Sequence, residues 1–599
     1  MAANRAGQLI RQWQFLYSSS DNNPVLKPTE LAYSNWLLCI VNGGTRTMKG
    51  APINAARECH NALKEISKRS ERDNFWPGVT LYNILMNAYS KAGDPEAAEA
   101  VLHELIEKAK YNTYCVPDVV SFTTVINAWA QIPHNQAAPD RAERLFHLQQ
   151  DFATRSGLES LLPTVSTVTA VLQCWVKSNH PLAPSRAEVI LKQMHDMVRA
   201  GYPKLQPNVI TYNICMNIWW RSGHFDASTK VEALFQELID QYRASKYALR
   251  FKPDVVTYIA RISAWERNRT LTARAIAEKV ESIFNELISP VESLSKTEEL
   301  GNAKRMEKPR PHQAIYNIII RVFSKCGDAV TATKYLEAMI TDYVDNKNSK
   351  AVPNRFVFHL VISAWSKKLS YTGAETAEWW LNRMHHLSTS HPGLKDIAPN
   401  SVSYNTCLGA WARFPQGRMI IDTDPNIEAA LYEMHDDRTD AVHQEAKSHQ
   451  TQPLQSSTMT KCPTVIAMER GQHLFHRMKQ NNIRPDVYTY GTLLHIISNQ
   501  KQCTKHVKYS QAQSIVEKMV LDNTEMNAYI FQLLKKCGMN SLPNYNLNYN
   551  QRNSANTTRS NRGDTHTVTS ETANRSIPSG DAQPQQERTT ETNEIVEML

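Results

Sequence analysis

Residues 117–130 read PDVVSFTTVINAWA, and the fold follows from how that stretch is built. Proline lacks an amide hydrogen and breaks a helix interior, but it is tolerated at a helix start. The Asp118 side chain that follows can accept hydrogen bonds from the free amides of an opening turn. From Val119 onward, Phe122 and Trp129 stand seven residues apart. Seven residues are two helical turns, so both rings leave one face of a predicted helix, with small Ala128 beside the second ring.

The same sentence recurs along the chain as PGVTLYN from Pro77, PTVSTVT from Pro163, PNVITYN from Pro207 and PDVVTYI from Pro253. It continues as PHQAIYN from Pro311, PNRFVFH from Pro353, PNSVSYN from Pro399 and PDVYTYG from Pro485, with a weaker PTELAYS from Pro28. First helices are therefore predicted near Glu30, Val79, Val119, Val165, Val209, Val255, Gln313, Arg355, Ser401 and Val487. A second amphipathic helix follows each, on a scheme of small residue, polar, any, two apolar, two polar, apolar. Ala98–Leu105, Ala187–Met194, Val231–Leu238, Val280–Leu287, Ala377–Met384 and Ala512–Met519 show it. One such pair cannot bury its apolar face alone, whereas stacked neighbours can. The predicted fold is all-α, a solenoid of about ten helix-turn-helix repeats, its Trp and Tyr stripe serving as core.

The unit beginning at Ser401 offers two second helices, Ile427–Met434 and Gly471–Met478, and the stripe alone does not choose between them. Polar insertions are expected near 289–309 and 435–467, a C-terminal capping helix over 524–540, and a disordered polar tail over 541–599. Residues 1–29 form an N-terminal segment whose Arg5, Arg11 and hydroxyl residues, with no acid before Asp21, suit either an organellar transit sequence or the lead-in to the first repeat.

The 599 residues carry a net charge of +9. The tail from Ser541 contributes 5 Arg against 7 acids, so the remainder carries +11, compatible with a polyanionic partner. Ten cysteines show no metal-clip spacing and read as reduced thiols, several in apolar helical positions. No apolar run is long enough for a membrane span.

The stretches PDVVSFTTVINAWA, PNVITYNICMNIWW, SKAGDPEAAEAVLHEL and RMKQNNIRPDVYTYGTLL closely resemble the pentatricopeptide repeat family over roughly Glu30 to Asn523. The resemblance implies a right-handed superhelix of the P type that binds single-stranded RNA in mitochondria or plastids, acting in RNA processing, stability or translation. The family's usual unit is about 35 residues and these are longer, with the excess in the turn between helices or after the second helix. By resemblance, the fifth residue of each unit and the last residue before the next read one base. The pairs are Asn83 with Asp118, Thr123 with Thr164, Thr169 with Asn208, Asn213 with Asp254, and Ile259 with His312. Asn317 with Asn354, His359 with Asn400 and Asn405 with Asp486 complete the series. The implied reading from Asn83 is U, unassigned, A, U, unassigned, pyrimidine, unassigned, U. Val120, Ile210, Val256 and Val402, second in their units, would wedge between bases.

No enzyme is expected. The zinc deaminase module of some relatives needs a Pro-Cys-x-x-Cys, and the chain has no Cys-x-x-Cys. There is no P-loop, and His473 with His476 lacks further ligands, so neither metal nor cofactor is expected. Expected partners are single-stranded RNA and other RNA-processing proteins, with the chain a monomer. The competing reading is a protein-binding scaffold of tetratricopeptide type.

Overall fold

The computed structural model describes residues 2–19, 29–43, 51–68, 77–289, 309–414, 463–500 and 503–539. The described part is all-α. Helix α1 (Ala2–Ser19) precedes ten helix pairs. These are α2 (Glu30–Gly43) with α3 (Ala51–Lys68), α4 (Val79–Ala92) with α5 (Pro95–Ala109), α6 (Val119–Ala130) with α7 (Ala138–Ser156), and α8 (Val165–Ser178) with α9 (Ala183–Arg199). Next come α10 (Val209–Ser222) with α11 (Ala227–Ala244), α12 (Val255–Glu266) with α13 (Ala273–Ile288), and α14 (Gln313–Cys326) with α15 (Ala329–Val344). Then follow α16 (Arg355–Ser366) with α17 (Tyr371–Ser390), α18 (Ser401–Arg413) with α19 (Pro463–Gln480), α20 (Val487–Ser498) with α21 (Lys505–Leu521), and a closing α22 (Ala528–Lys536).

Each first helix begins directly after a Pro-X pair, and apart from Gly78, which has no side chain to offer, X caps it. Asp118, Thr164, Asn208, Asp254, Asn400 and Asp486 each form a capping box with the Ser or Thr three residues on. Such a cap contributes about 1 kcal/mol to its helix. First helices pack on the first helices to either side, making one continuous layer, and each second helix packs on its own first helix and the next. That is a solenoid, in which every unit borrows its core from its neighbours.

The ring stripe is core. Phe122, Tyr212, Phe358, Tyr404, Trp411 and Tyr490 are fully buried, and Trp129, Trp175, Trp219 and Trp365 nearly so. Several indoles also tie units together: Trp129 Nε1 donates to Glu99 at 2.9 Å, Trp175 to Glu143 at 2.8 Å and Trp411 to Glu378 at 3.0 Å. The same glutamates receive the next second helix, through Arg141 on Glu99 and Arg186 on Glu143. The Glu in the second-helix scheme is thus an inter-unit acceptor rather than a merely solvated residue.

In the unit beginning at Ser401, Gly471–Met478 lies in the second helix: α19 packs on α18 and α20, with Arg470 and Arg477 drawn to Glu378. The alternative, Ile427–Met434, lies outside the described residues, as do nearly all of the expected insertions and the tail over 541–599. Residues 2–19 form a helix docked on the first repeat, with Gln14 donating to the buried Tyr33 hydroxyl at 2.8 Å. Extra length enters as second helices of up to 20 residues and as short 3₁₀ turns before the proline. Cys115, Leu205 and Phe251 in those turns are buried. All described cysteines are free thiols, and burial pushes Cys59 and Cys174 up to about 12. No described helix is long and apolar enough to cross a membrane.

Candidate nucleic-acid interface

The capping boxes do more than start helices. At Asp118 the cap's backbone N–H donates to Ser121 Oγ at 3.2 Å, while Asp118 Oδ1 accepts from the Ser121 amide at 2.8 Å. The Ser121 hydroxyl then donates to Asn83 Oδ1 at 2.7 Å, and Asn83 Nδ2 donates to Asp118 at 3.2 and 3.3 Å. Asn83 is the fifth residue of the preceding unit, so one small network joins two units.

The arrangement repeats with the same roles. Asn213 Nδ2 donates to Asp254 at 3.0 Å and its Oδ1 accepts from Thr257 at 2.7 Å. Asn405 Nδ2 donates to Asp486 at 2.9 Å and its Oδ1 accepts from Thr489 at 2.7 Å. A carboxamide has two N–H groups and two acceptor lone pairs. In each network one of each is used, which leaves one donor and one acceptor. Asn83 and Asn405 are half-buried, whereas Asn213 is only 6% exposed.

The remaining pairs differ. Thr123 Oγ1 lies 3.1 Å from Thr167 Oγ1, the hydroxyl that Thr164 uses in its box. His359 Nε2 lies 2.7 Å from Ser403 Oγ, beside Asn400. Burial, then Arg355, pushes the His359 imidazole down to about 4, so it is neutral near pH 7. Thr169 turns back to the Val165 carbonyl at 2.7 Å, and Asn208 accepts from the Thr211 amide at 3.1 Å rather than bonding Thr169. Ile259 is buried and His312 caps Ala314, leaving that pair without readout chemistry. Among the described residues no hydrogen bond joins Asn317 to Asn354; Asn354 caps Val357 at 3.1 Å, and Asn317 Oδ1 is buried without a partner.

The second position of several units projects outward: Val120 is 56%, Ile210 52%, Val402 52% and Tyr488 78% exposed, with Val256 half-buried. Large apolar side chains held this far into solvent at one repeated position form a row of available contacts. Tyr488 is a member that the sequence reading did not single out, although its place in the unit is the same.

A basic row was also missed. Eight residues after the fifth position come Lys91, Lys177, Arg221, Arg267, Lys325, Lys367 and Arg413, with Gln131 the exception from α4 to α18. Eight residues are roughly two helical turns, which keeps this row on the flank of the reading positions. All are exposed or half-buried. Arg221 and Arg267 stack their guanidinium groups on Trp220 at 5.5 and 4.6 Å, and burial followed by Arg267 lowers the Arg221 pKa. Lys325 is partly neutralised by Glu266 at 3.2 Å. Spacing of 40 residues and more hid the row within an unremarkable overall charge.

No group of His, Cys, Asp and Glu suited to a metal occurs among the described residues, and His473 faces Glu378 at 3.8 Å rather than pairing with His476.

Comparison with known proteins agrees with the repeat. Residues 80–108 and 314–344 match the model described as PPR repeat, and 473–523 match that described as pentatricopeptide repeat domain. No curated protein matches the sequence. Two crystal structures of the pentatricopeptide repeat protein PPR10 in complex with an 18-nt psaJ RNA element, one a cysteine-to-serine variant, each share 14% identity with a TM-score of 0.39. Each alignment covers 85% of this chain, which spans 58% of the matched protein. The three matched stretches carry the pentatricopeptide repeat, and the helix pairs and Pro-X caps between them follow the same pattern.

Proposed function

We propose that the chain binds single-stranded RNA along the first-helix layer and reads selected bases without acting on them chemically. The observation that carries this is the recurrence of one network, Asn–Asp with a buried hydroxyl, at Asn83, Asn213 and Asn405. A helix cap explains the Asp alone. It does not explain an Asn held by it from the preceding unit with one donor and one acceptor unspent. Those groups match the Watson–Crick edge of an unpaired base, the form in which RNA sequence is read.

The exposed row at Val120, Ile210, Val402 and Tyr488 supplies surfaces on which neighbouring bases rest, and the basic row supplies salt-sensitive affinity for phosphates. The reading order is U, unassigned, A, U, unassigned, pyrimidine, unassigned, U. In the A unit, Thr169 donates its hydroxyl proton to a backbone carbonyl, so Asn208 carries more of that recognition. A P-type protein of this kind acts by occupying a transcript, in a mitochondrion or plastid, in concert with proteins that process or translate it.

The test is retention on heparin followed by ultraviolet crosslinking and sequencing of bound RNA from a randomised single-stranded pool. Enrichment of U at two positions spaced as Asn83 and Asn213 are, three units apart, supports the reading. An unenriched pool or absent crosslinks refutes it.

A further inference from the structure

We propose that the buried hydroxyl at the third position of the units beginning at Val119, Val255 and Val487 is a positioning residue that helps to decide between uracil and cytosine, and that Val357 takes its place beside Asn317 without supplying a hydroxyl. The inference rests on the RNA reading above.

Uracil offers a donor at N3 beside an acceptor at O4, and cytosine offers the reverse, an acceptor at N3 beside an amino donor at C4. A carboxamide with one spare donor and one spare acceptor fits either, depending on which way round it is held. The orientation of the amide is therefore the selector. In the networks of Asn83, Asn213 and Asn405 it is fixed from both ends. The carboxylate of Asp118, Asp254 or Asp486 accepts and so takes the nitrogen. The hydroxyl would be neutral on this point if it met the nitrogen as readily as the oxygen. One of its two lone pairs already accepts the cap's backbone N–H, at 3.2 Å in Ser121 and 3.1 Å in Thr257 and Thr489, and the carboxylate has drawn the Asn nitrogen to itself, so the amide end that faces the hydroxyl is the oxygen. The hydroxyl donates to that oxygen at 2.7 Å in all three, a shorter contact than the 2.9 to 3.0 Å to the cap's own Oδ1. Ser121, Thr257 and Thr489 are fully buried, so water does not compete for that bond.

The sixth pair is a natural deletion of this element. Asn317 occupies the reading position, but the third residue of the next unit is Val357, fully buried and without a hydroxyl. Asn317 Oδ1 has no hydrogen-bond partner, and the last residue is the uncharged Asn354. Neither end of the Asn317 amide is held, so it turns to suit either pyrimidine, and this site accepts cytosine and uracil alike.

Two isosteric exchanges test the assignment in the full chain against a randomised RNA pool, with base preferences read at every position. Val357→Thr places a hydroxyl beside Asn317 Oδ1 and should raise uracil-over-cytosine preference at that single nucleotide roughly five- to tenfold, the range of one net hydrogen bond. Thr257→Val should lower it by a similar factor at the Asn213 nucleotide, the others serving as internal controls. Unchanged preferences in Val357→Thr, or shifts spread evenly over all nucleotides, overturn the proposal. If the unaltered chain retains no RNA, the RNA reading itself fails; RNA retained with its uracil positions intact but indifferent to both exchanges sinks only the role of the hydroxyl.

Discussion

Replacing Asp254 with serine separates helix capping from base reading at one residue. Asp254 is attached on two sides: to Thr257, whose amide and hydroxyl each lie 2.9 Å from Oδ1, and to Asn213, whose Nδ2 donates to the carboxylate at 3.0 Å. Serine caps a helix about as well as aspartate, within a few tenths of a kcal/mol, so the first attachment survives. Its side chain is one atom shorter and uncharged, and the second is lost. A hydrogen bond to a charged group contributes about 1.5–3 kcal/mol, but Asn213 keeps its bond to Thr257, and the loss in stability should stay near 1 kcal/mol. Base discrimination is affected more, because the amide is then held from one end only. Preference for uracil at that nucleotide should fall roughly tenfold, about 1.4 kcal/mol, while total affinity for a long RNA changes little. Urea melts monitored by circular dichroism give the first quantity, and gel shifts with RNAs differing at single nucleotides give the second. A loss above about 2 kcal/mol in stability with an unaltered base preference would show that Asp254 is a cap and nothing more.

Removing Lys91, Lys177 and Lys367 together by alanine should reduce the slope of log affinity against log salt by about 2, at roughly 0.7 per phosphate contact; an unchanged slope places the RNA elsewhere. Arg261 is 9% exposed and bridges Glu232 and Glu286, the latter at 2.8 Å. Both carboxylates are partly solvated, so Arg261→Ala should cost about 2 kcal/mol, below the range for a fully buried pair, and Arg261→Met less, as the thioether stem still covers Phe235; equal losses in urea melts would contradict this. His359, held near 4 against about 6.5 unfolded, is neutral in the fold, and the unfolded chain takes up its proton first as pH falls. Its contribution is therefore complete above about pH 6.5 and drains away towards pH 4, at most about 3 kcal/mol, and His359→Gln should flatten thermal melts between pH 7.5 and 5. An identical pH slope in the variant would remove His359 as the cause.

The helix starts were legible because Pro-X and a ring at the fourth residue are punctuation that only one conformation satisfies, as at Pro207-Asn208 and Tyr212. The pairing of Asn213 with Asp254 was legible only through resemblance, since 41 residues separate them. The hydroxyl of Thr257 stood in plain view, with a Ser or Thr at the same place in six of the ten motifs, yet as a polar residue in an opening turn it looked like part of the cap. What sequence cannot display is that a capping box points its proton backwards, into the preceding unit. The fate of Thr169 was hidden for the opposite reason: its bond to Val165 is local, and nothing in the spelling distinguishes it from Thr123, which reaches across to Thr167. Nor could periodicity choose the second helix of the unit beginning at Ser401, because both candidates carry the same stripe. Glu378 marks the one that packs there, gathering Trp411 and Arg477 around a carboxylate in the unit before.

Longer repeats raise the concern that added residues alter the pitch and lose register with a regularly spaced strand. The three Asn–Asp networks answer it with a measurement made inside the molecule. The two members are 35 residues apart at Asn83, 41 at Asn213 and 81 at Asn405, yet the nitrogen-to-carboxylate distances are 3.2, 3.0 and 2.9 Å. A connection that more than doubles in length leaves the contact unmoved, so the spacing between reading positions is not set by the chain that joins them. It is set by first helices packed directly on first helices, with each cap bonded to the fifth residue of the unit before. The longest added stretch falls in sequence between α18 and α19, and a longer connection costs little: each doubling adds only about 0.6 kcal/mol of closure entropy. Extra length therefore leaves the reading layer of first helices in step.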